Sequence, residues 1–368
     1  MLYHLFPELV ELHSGFNVIR YITFRSAAAG ITALLITWIV GPAIIGTLRR
    51  KRWGQVIRQV GPHTHFGKQG TPTMGGLIMI SAATVSTLLW AELTNPYVLI
   101  ALASFLVCGA LGFVDDYLKI SRGNADGLVD KVKLFAPAGV GMAVGIFLIA
   151  SPLSSHEPTV TALPFFSDLQ FAFAPLFFVL FTSFVVAGSS NAVNLSDGLD
   201  GLAAGLVAIA ATTFAFYAYL AGRVDTSAYL GLFHLPGAGE LTVFVAALIG
   251  TCIGFLWFNS HPASVFMGDT GSLALGGALG VLAILVKTEF LLVIAGGVFV
   301  AEALSVIAQK SFFKFTRWRT GEPRRLLRMA PLHHHFEKLG WKESKVVVRF
   351  WVAGLLCAIG ALAALKIR

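Results

Sequence analysis

Apolar residues run along this chain in long blocks and rarely alternate with polar ones. Ten blocks reach, or nearly reach, the length a helix needs to cross about 30 Å of hydrocarbon. Their approximate limits are 27–48, 74–91, 97–114, 134–151, 171–188, 201–221, 241–258, 271–286, 290–308 and 346–365. The eighth block is short, and the ninth is interrupted by Glu302. Runs of about 18 residues do not suit a barrel, whose strands alternate over roughly ten. The pattern predicts an all-α integral membrane protein, a bundle of about ten transmembrane helices. No long linker or low-complexity tract divides it, so residues 1–368 read as a single polytopic domain.

Composition agrees. Of 368 residues, 56% are hydrophobic and 12% charged, whereas a soluble domain carries about 25% charge. The net charge of +8 reads as topology and gives no ground for nucleic-acid binding. Loops 49–70, 115–133 and 310–345 together hold 20 of the 27 Lys and Arg residues, and all three fall on one side of a ten-span bundle. The opposite loops hold only Arg223 and Lys287. The crowded side is therefore expected to be cytoplasmic, with both termini periplasmic. Arg20 and Arg25, before the first span, argue the other way and are outvoted by the RRKR run after it. That same run marks the first span as a retained helix and not a cleaved signal peptide. Cys108, Cys252 and Cys357 lie in apolar runs without a C-x-x-C spacing, which suggests neither a disulfide framework nor a thiolate metal site.

Acidic groups close to hydrocarbon are costly and usually face a partner, a metal or a polar cavity. Asp115 and Asp116 close the third span, Asp197 and Asp200 precede the sixth, and Asp269 precedes the eighth. His333, His334 and His335 occupy the last long loop. The topology puts all four clusters on the cytoplasmic side. Carboxylates from separate elements without thiolates suit a hard cation such as Mg²⁺, which commonly takes one or two carboxylates plus substrate phosphates. The neighbouring Lys and Arg fit an anionic substrate, and GKQGTPTMGG supplies Lys68, Thr73 and backbone amides at a helix start. Together these parts suggest phosphoryl transfer, in which positioning and electrostatics dominate. Simpler readings exist for each part alone. The Asp pair could be neutralised by Lys119, Asp197 and Asp200 could cap a helix, and Asn191, Asn194 and Asn259 could do likewise. Glu302 reads as a buried carboxyl hydrogen-bonded to a neighbouring helix. A secondary transporter would place its polar groups near the midplane, often in repeated halves, and no such repeat is evident.

The chain resembles the family of phospho-N-acetylmuramoyl-pentapeptide transferases, within the polyprenyl-phosphate N-acetylhexosamine-1-phosphate transferases. The runs that carry the likeness are GTPTMGG (Gly70 to Gly76), GFVDDYLK (Gly112 to Lys119), NAVNLSDGLDGLAAG (Asn191 to Gly205), FNSHPASVFMGDTGSLALGG (Phe258 to Gly277) and MAPLHHHFEKLGW (Met329 to Trp341). Ser196 and Leu332 stand where Thr and Ile are commoner, and neither change touches the chemistry. The resemblance implies Mg²⁺-dependent transfer of phospho-N-acetylmuramoyl-pentapeptide from its UDP carrier to undecaprenyl phosphate, giving lipid I and UMP. It places this first membrane step of peptidoglycan synthesis at the inner membrane, in a chain that is commonly a homodimer. A relative that uses UDP-N-acetylglucosamine is the nearest alternative. By the same resemblance Asp269 is the metal ligand, and Asp115 and Asp116 serve the lipid phosphate, one of them as base. Lys68, Lys133, Asn194 and Asp197 would surround the phosphates. Lys119, Gly198, Leu199, Asp200, Asn259 and Phe266 would form the nucleoside pocket, with His333 and its neighbours His334 and His335 completing the site. Thr73, Asn191 and Gln309 are further candidates for substrate contact.

Overall fold

The computed structural model describes residues 1–9, 13–51, 53–54, 70–123 and 127–366. Among these the chain is a helical bundle with one small hairpin. After the short α1 (Leu2–Leu9) come α2 (Ile22–Arg50), α3 (Gly76–Trp90), α4 (Pro96–Arg122) and α5 (Asp130–Ala150). Strands β1 (Val160–Leu163) and β2 (Phe166–Ala172) form an antiparallel pair. Then follow α6 (Pro175–Ser196), α7 (Leu202–Ala221), the short α8 (Val224–Leu230), α9 (Leu241–Asn259) and α10 (Gly268–Leu285). The chain closes with α11 (Glu289–Ala295), α12 (Gly297–Thr320), the short α13 (Leu332–Lys338) and α14 (Glu343–Ala363).

Every apolar block expected to span a membrane is helical. Among the described residues eight helices are long and apolar enough to cross one, and α11 with α12 makes a ninth candidate, bent by 85° at Gly296. The remaining block is α3, whose 15 residues extend about 22 Å. The protein is a multi-pass helical membrane protein. Local signals explain several boundaries. Pro96 opens α4 behind Asn95, whose side chain accepts from the Tyr97 amide at 2.9 Å, and Gly123 in the left-handed region ends it. Pro175 likewise occupies the first turn of α6, where its missing N–H costs nothing.

Three expectations are corrected. Helix α4 runs on to Arg122, so Asp115 and Asp116 lie inside it, not at its end. Helix α6 runs from Pro175 to Ser196 and not over 171–188, which puts Asn191 and Asn194 inside the helix instead of at a cap. The stretch before it is a β-hairpin, with the amide of Ala162 donating to the carbonyl of Lys287. Burial of β1 against α11 outweighs the weak alternation of VTAL in the sequence.

Helix α10 is the centre of the bundle. It is buried from Thr270 to Leu285 and walled by α4, α6 and α3. The far end of the bundle is tied by ion pairs and carbonyl contacts. Arg25 makes a two-pronged contact with Glu240 at 2.6 and 2.5 Å, both side chains being buried. Lys287 donates to the carbonyls of Glu157, Pro158 and Val160. Arg25, the charge that argued against the expected orientation, is therefore neutralised within the fold and carries little topological weight.

Candidate active site

The opposite end of the bundle gathers the polar motifs. Asp115, Asp116 and Lys119 fall on successive turns of α4, with Asp115 and Asp116 buried. Lys133 comes from the first turns of α5, Asn194 from the last turn of α6, and Asp269 from the first turn of α10. Lys119 Nζ lies 2.7 Å from Asp115 and 2.8 Å from Asp269, and Lys133 Nζ lies 2.8 and 2.5 Å from the same two carboxylates. Asp115 also accepts from the Leu128 amide at 2.6 Å. Asn194 donates to the other oxygen of Asp269 at 2.7 Å and to Ser272 at 2.8 Å. Two ammonium groups thus bridge two carboxylates drawn from different helices.

Asp116 has a different environment. It accepts from the amides of Asp269 and Thr270 at 3.1 and 2.9 Å and from the Thr270 hydroxyl at 2.7 Å. A carboxylate at the N-terminus of α10 satisfies orphan amides and meets the positive end of the helix dipole. Asp116 therefore locks α10 to α4, and Thr270, which follows Asp269 in the Phe258 to Gly277 run but is not among the candidate residues of the sequence, is part of the lock.

Two glycines permit that contact. A Cβ on Gly112 would stand 2.0 Å from the carbonyl oxygen of Asp269. Gly268 has φ +73°, and a Cβ there would lie 2.6 Å from Asp116 Oδ2 and 3.0 Å from Thr73 Oγ1. The signal for Gly112 is a glycine one turn before Asp115 in an apolar helix, a mark of close helix approach.

Asp197 follows the last residue of α6, and its carboxylate takes a backbone hydrogen bond from Gly268. Burial, then the charges of Asp269, Asp116 and Asp200, push its carboxyl well above the usual carboxylate range. Asp200 does not cap α7, whose N-cap is Gly201 without a side-chain bond. Its Oδ2 instead accepts from the Ala263 amide and faces His261 Nδ1, both at 3.1 Å, while its own amide donates to Glu343 at 2.8 Å. Asn259 is buried, accepting from the Gly201 amide and donating to the Val265 carbonyl. These bonds clasp the Gly198–Leu199–Asp200 turn to the 260–267 loop that carries Phe266. The backbone of Phe266 and Met267 is in turn laced to Pro72, Gly75 and Gly76, beside buried Thr73.

The remaining candidates divide. Lys68 lies outside the described residues. Lys119 joins the carboxylate cluster, apart from the nucleoside group to which it was assigned, because one helical turn carries its ammonium back to Asp115. Asn191 donates to the carbonyls of Ala187 and Lys133. Gln309 accepts from the amides of Leu326 and Leu327 and donates to the Leu327 carbonyl, so its side chain ties down the basic loop. His333 is buried against Glu302, His334 pairs with Glu337 at 2.7 Å, and His335 Nδ1 accepts from the Arg328 amide. Glu302 is the buried, hydrogen-bonded carboxyl the sequence suggested.

Ligand oxygens of Asp115, Asp116 and Asp269 lie within 4.8 Å of one another, and this acidic cluster could hold a metal ion. The donors are all oxygen, which suits a hard divalent cation. Three carboxylates against two ammonium groups leave one negative charge, so the residues present fit such an ion. The donors on Asp116 are backbone amides and a hydroxyl, whereas those on Asp269 are the side chains of Lys119, Lys133 and Asn194.

The family model described as "Glycosyl transferase family 4" matches residues 98–287, which include Asp115, Asp116, Asp197, Asp200 and Asp269. Relatives named phospho-N-acetylmuramoyl-pentapeptide-transferase match the full length of both chains. One from Gemmatimonas aurantiaca is 53% identical, one from Desulfotalea psychrophila 48%, and one from Thermodesulfovibrio yellowstonii 48%. With the whole chain aligned at about half identity, this protein belongs to the phospho-N-acetylmuramoyl-pentapeptide-transferase family of membrane enzymes.

Proposed function

We propose that the chain transfers phospho-N-acetylmuramoyl-pentapeptide from UDP-N-acetylmuramoyl-pentapeptide to undecaprenyl phosphate. The observation that carries this reading is the cluster of Asp115, Asp116 and Asp269 at one end of an apolar bundle, with Lys119 and Lys133 bridging Asp115 and Asp269. A lipid phosphate and a water-soluble diphosphate meet only at a membrane interface, and the cluster lies at a bundle end. The Lys and Arg excess near that end makes it the cytoplasmic one. The enzyme then sits in the bacterial inner membrane with both termini periplasmic, surrounded by membrane lipids and paired as a homodimer.

An oxygen of the lipid phosphate attacks the sugar-linked phosphorus of the UDP carrier. A new P–O bond forms, the bond from that phosphorus to the bridging oxygen breaks, and UMP leaves with the bonding pair. Lipid I remains in the bilayer. Asp115 takes the proton of the lipid phosphate, since two of its three partners are lysine side chains that can swing to the incoming phosphates. Asp116 keeps α10 and Asp269 in register. Lys119, Lys133, Asn194 and, from the GTPTMGG side, Lys68 neutralise the phosphates, with Asp197 beside them. Gly198, Leu199, Asp200, Asn259 and Phe266 frame the nucleoside, Phe266 by stacking on uracil. Mg²⁺ held by Asp269 would supply charge stabilisation at the transferring phosphoryl group.

Donor choice tests the reading. Purified protein in detergent with undecaprenyl phosphate and Mg²⁺ should release UMP from UDP-N-acetylmuramoyl-pentapeptide and not from UDP-N-acetylglucosamine. Turnover of the second donor alone would overturn the proposal.

A further inference from the structure

Glu302 and His333 form a buried pair away from the carboxylate cluster. Both side chains are fully buried. Glu302 sits in the second turn of α12, and His333 is the second residue of α13. One carboxylate oxygen of Glu302 accepts from the His333 backbone amide at 3.1 Å, and the other lies 3.2 Å from His333 Nδ1. A single side chain thus grips both the backbone and the ring of the same residue. On the other side of the ring, Nε2 packs against Gly198, where a Cβ would stand 2.3 Å away. Nε2 is buried with no hydrogen-bond partner among the described residues. Nδ1 also lacks an aligned partner, because its 3.2 Å approach to Glu302 lies off the ring N–H direction.

The ring is therefore held between a carboxylate and a turn that has no side chain. A carboxylate is an acceptor only, so it favours a proton on Nδ1 and leaves Nε2 with a lone pair. Small rotation of the ring converts the 3.2 Å contact into a hydrogen bond. We propose that Glu302 is a positioning residue: it sets the His333 tautomer and ring orientation so that Nε2 presents an acceptor to the Gly198 turn, next to Asp197. This rests on the transferase reading above, in which that turn frames the substrate. Ligand entry that opens the turn would meet an oriented imidazole acceptor. With the other tautomer it would meet a donor.

Nitrogen-15 NMR of histidine-labelled full-length protein reads the tautomer directly, the His333 signals being assigned by their loss in His333→Gln. The wild type should show a protonated Nδ1 and an unprotonated Nε2. In Glu302→Gln the side-chain NH₂ can turn to Nδ1 and favour the opposite tautomer, as happens when the acid behind a catalytic histidine is made an amide. Glu302→Gln should also lose turnover by roughly tenfold or more through kcat, with KM for the nucleotide donor little changed. In the His333→Gln background it should cost nothing further, since coupled residues do not add. An Nε2-protonated wild type, or a double variant losing activity as the product of the singles, would overturn the proposal. The NMR result stands apart from activity, so an inactive wild type would sink the transferase reading while leaving the tautomer to be read.

Discussion

Replacing Asp269 with asparagine removes one charge from the cluster at almost constant volume. Asp269 faces Lys119 at 2.8 Å, Lys133 at 2.5 Å and Asn194 at 2.7 Å. Three carboxylates and two ammonium groups carry a net charge of about −1; the variant carries none. A unit charge about 4 Å from a divalent cation contributes roughly 8 kcal/mol at an effective dielectric of about 20, or about a millionfold in affinity. Loss of a direct ligand adds to that figure, and partial exposure of the lysines takes some of it away. The Asp269→Asn change would also place an amide NH₂ among two ammonium groups and Asn194, so the lysines should swing toward Asp115. The assay is UMP release against Mg²⁺ concentration, with thermal unfolding of the same detergent preparation alongside. Asp269→Asn should need far more Mg²⁺, or show no turnover, while unfolding cooperatively. An unshifted Mg²⁺ dependence with turnover retained would refute the assignment of Asp269 as metal ligand.

Further expectations follow from neighbouring contacts. Asp115→Asn should abolish turnover with modest thermal cost, because Lys119 and Lys133 keep Asp269 as a partner, whereas Asp116→Asn should lower Tm more, because it weakens charge-assisted bonds of about 1.5–3 kcal/mol each to the Asp269 and Thr270 donors that join α10 to α4; the reverse ranking would count against the division of roles. Gly112→Ala should force α4 and α10 apart at Asp269 and reduce kcat by about a hundredfold, the cost of roughly 1 Å of misplacement; activity near wild type would show that the helices absorb the methyl. Asp197 has a raised folded-state pKa, so ionisation opposes folding, and stability is lost as pH rises from the unfolded value of about 4 toward the folded one. Asp197→Asn should therefore raise Tm at pH 8 by more than at pH 5, while slowing turnover; a Tm gain that is larger at pH 5 would contradict the sign.

Much of this was legible in the chain. The apolar blocks locate every spanning helix because hydropathy and helix length follow from the bilayer itself. The aspartate motifs converge because each lies toward the same side of the alternating bundle, Asp115 and Asp116 inside α4 and the others beside a helix end. Chain continuation was harder to read: α4 passes Asp116 to Arg122 since Tyr117, Leu118, Lys119 and Ile120 favour helix, and only Gly123 stops it. The hairpin at 160–172 was missed because its strands are short and its partner, Lys287, is distant in sequence. The individual jobs of the carboxylates were also hidden. Asp115 and Asp116 are adjacent and chemically identical, and only the packing of α10 makes one a lock and the other a partner of the lysines. The structural engagement of Gln309 could not be foreseen, since its partners are backbone amides of a loop.

The most direct test of the central claim measures UMP release together with consumption of undecaprenyl phosphate, using UDP-N-acetylmuramoyl-pentapeptide with Mg²⁺ and again with EDTA. Equimolar UMP and lipid I with Mg²⁺, abolished by EDTA and restored by excess Mg²⁺, is the predicted result. UMP release that persists in EDTA, or that proceeds without loss of the lipid phosphate, would contradict the account.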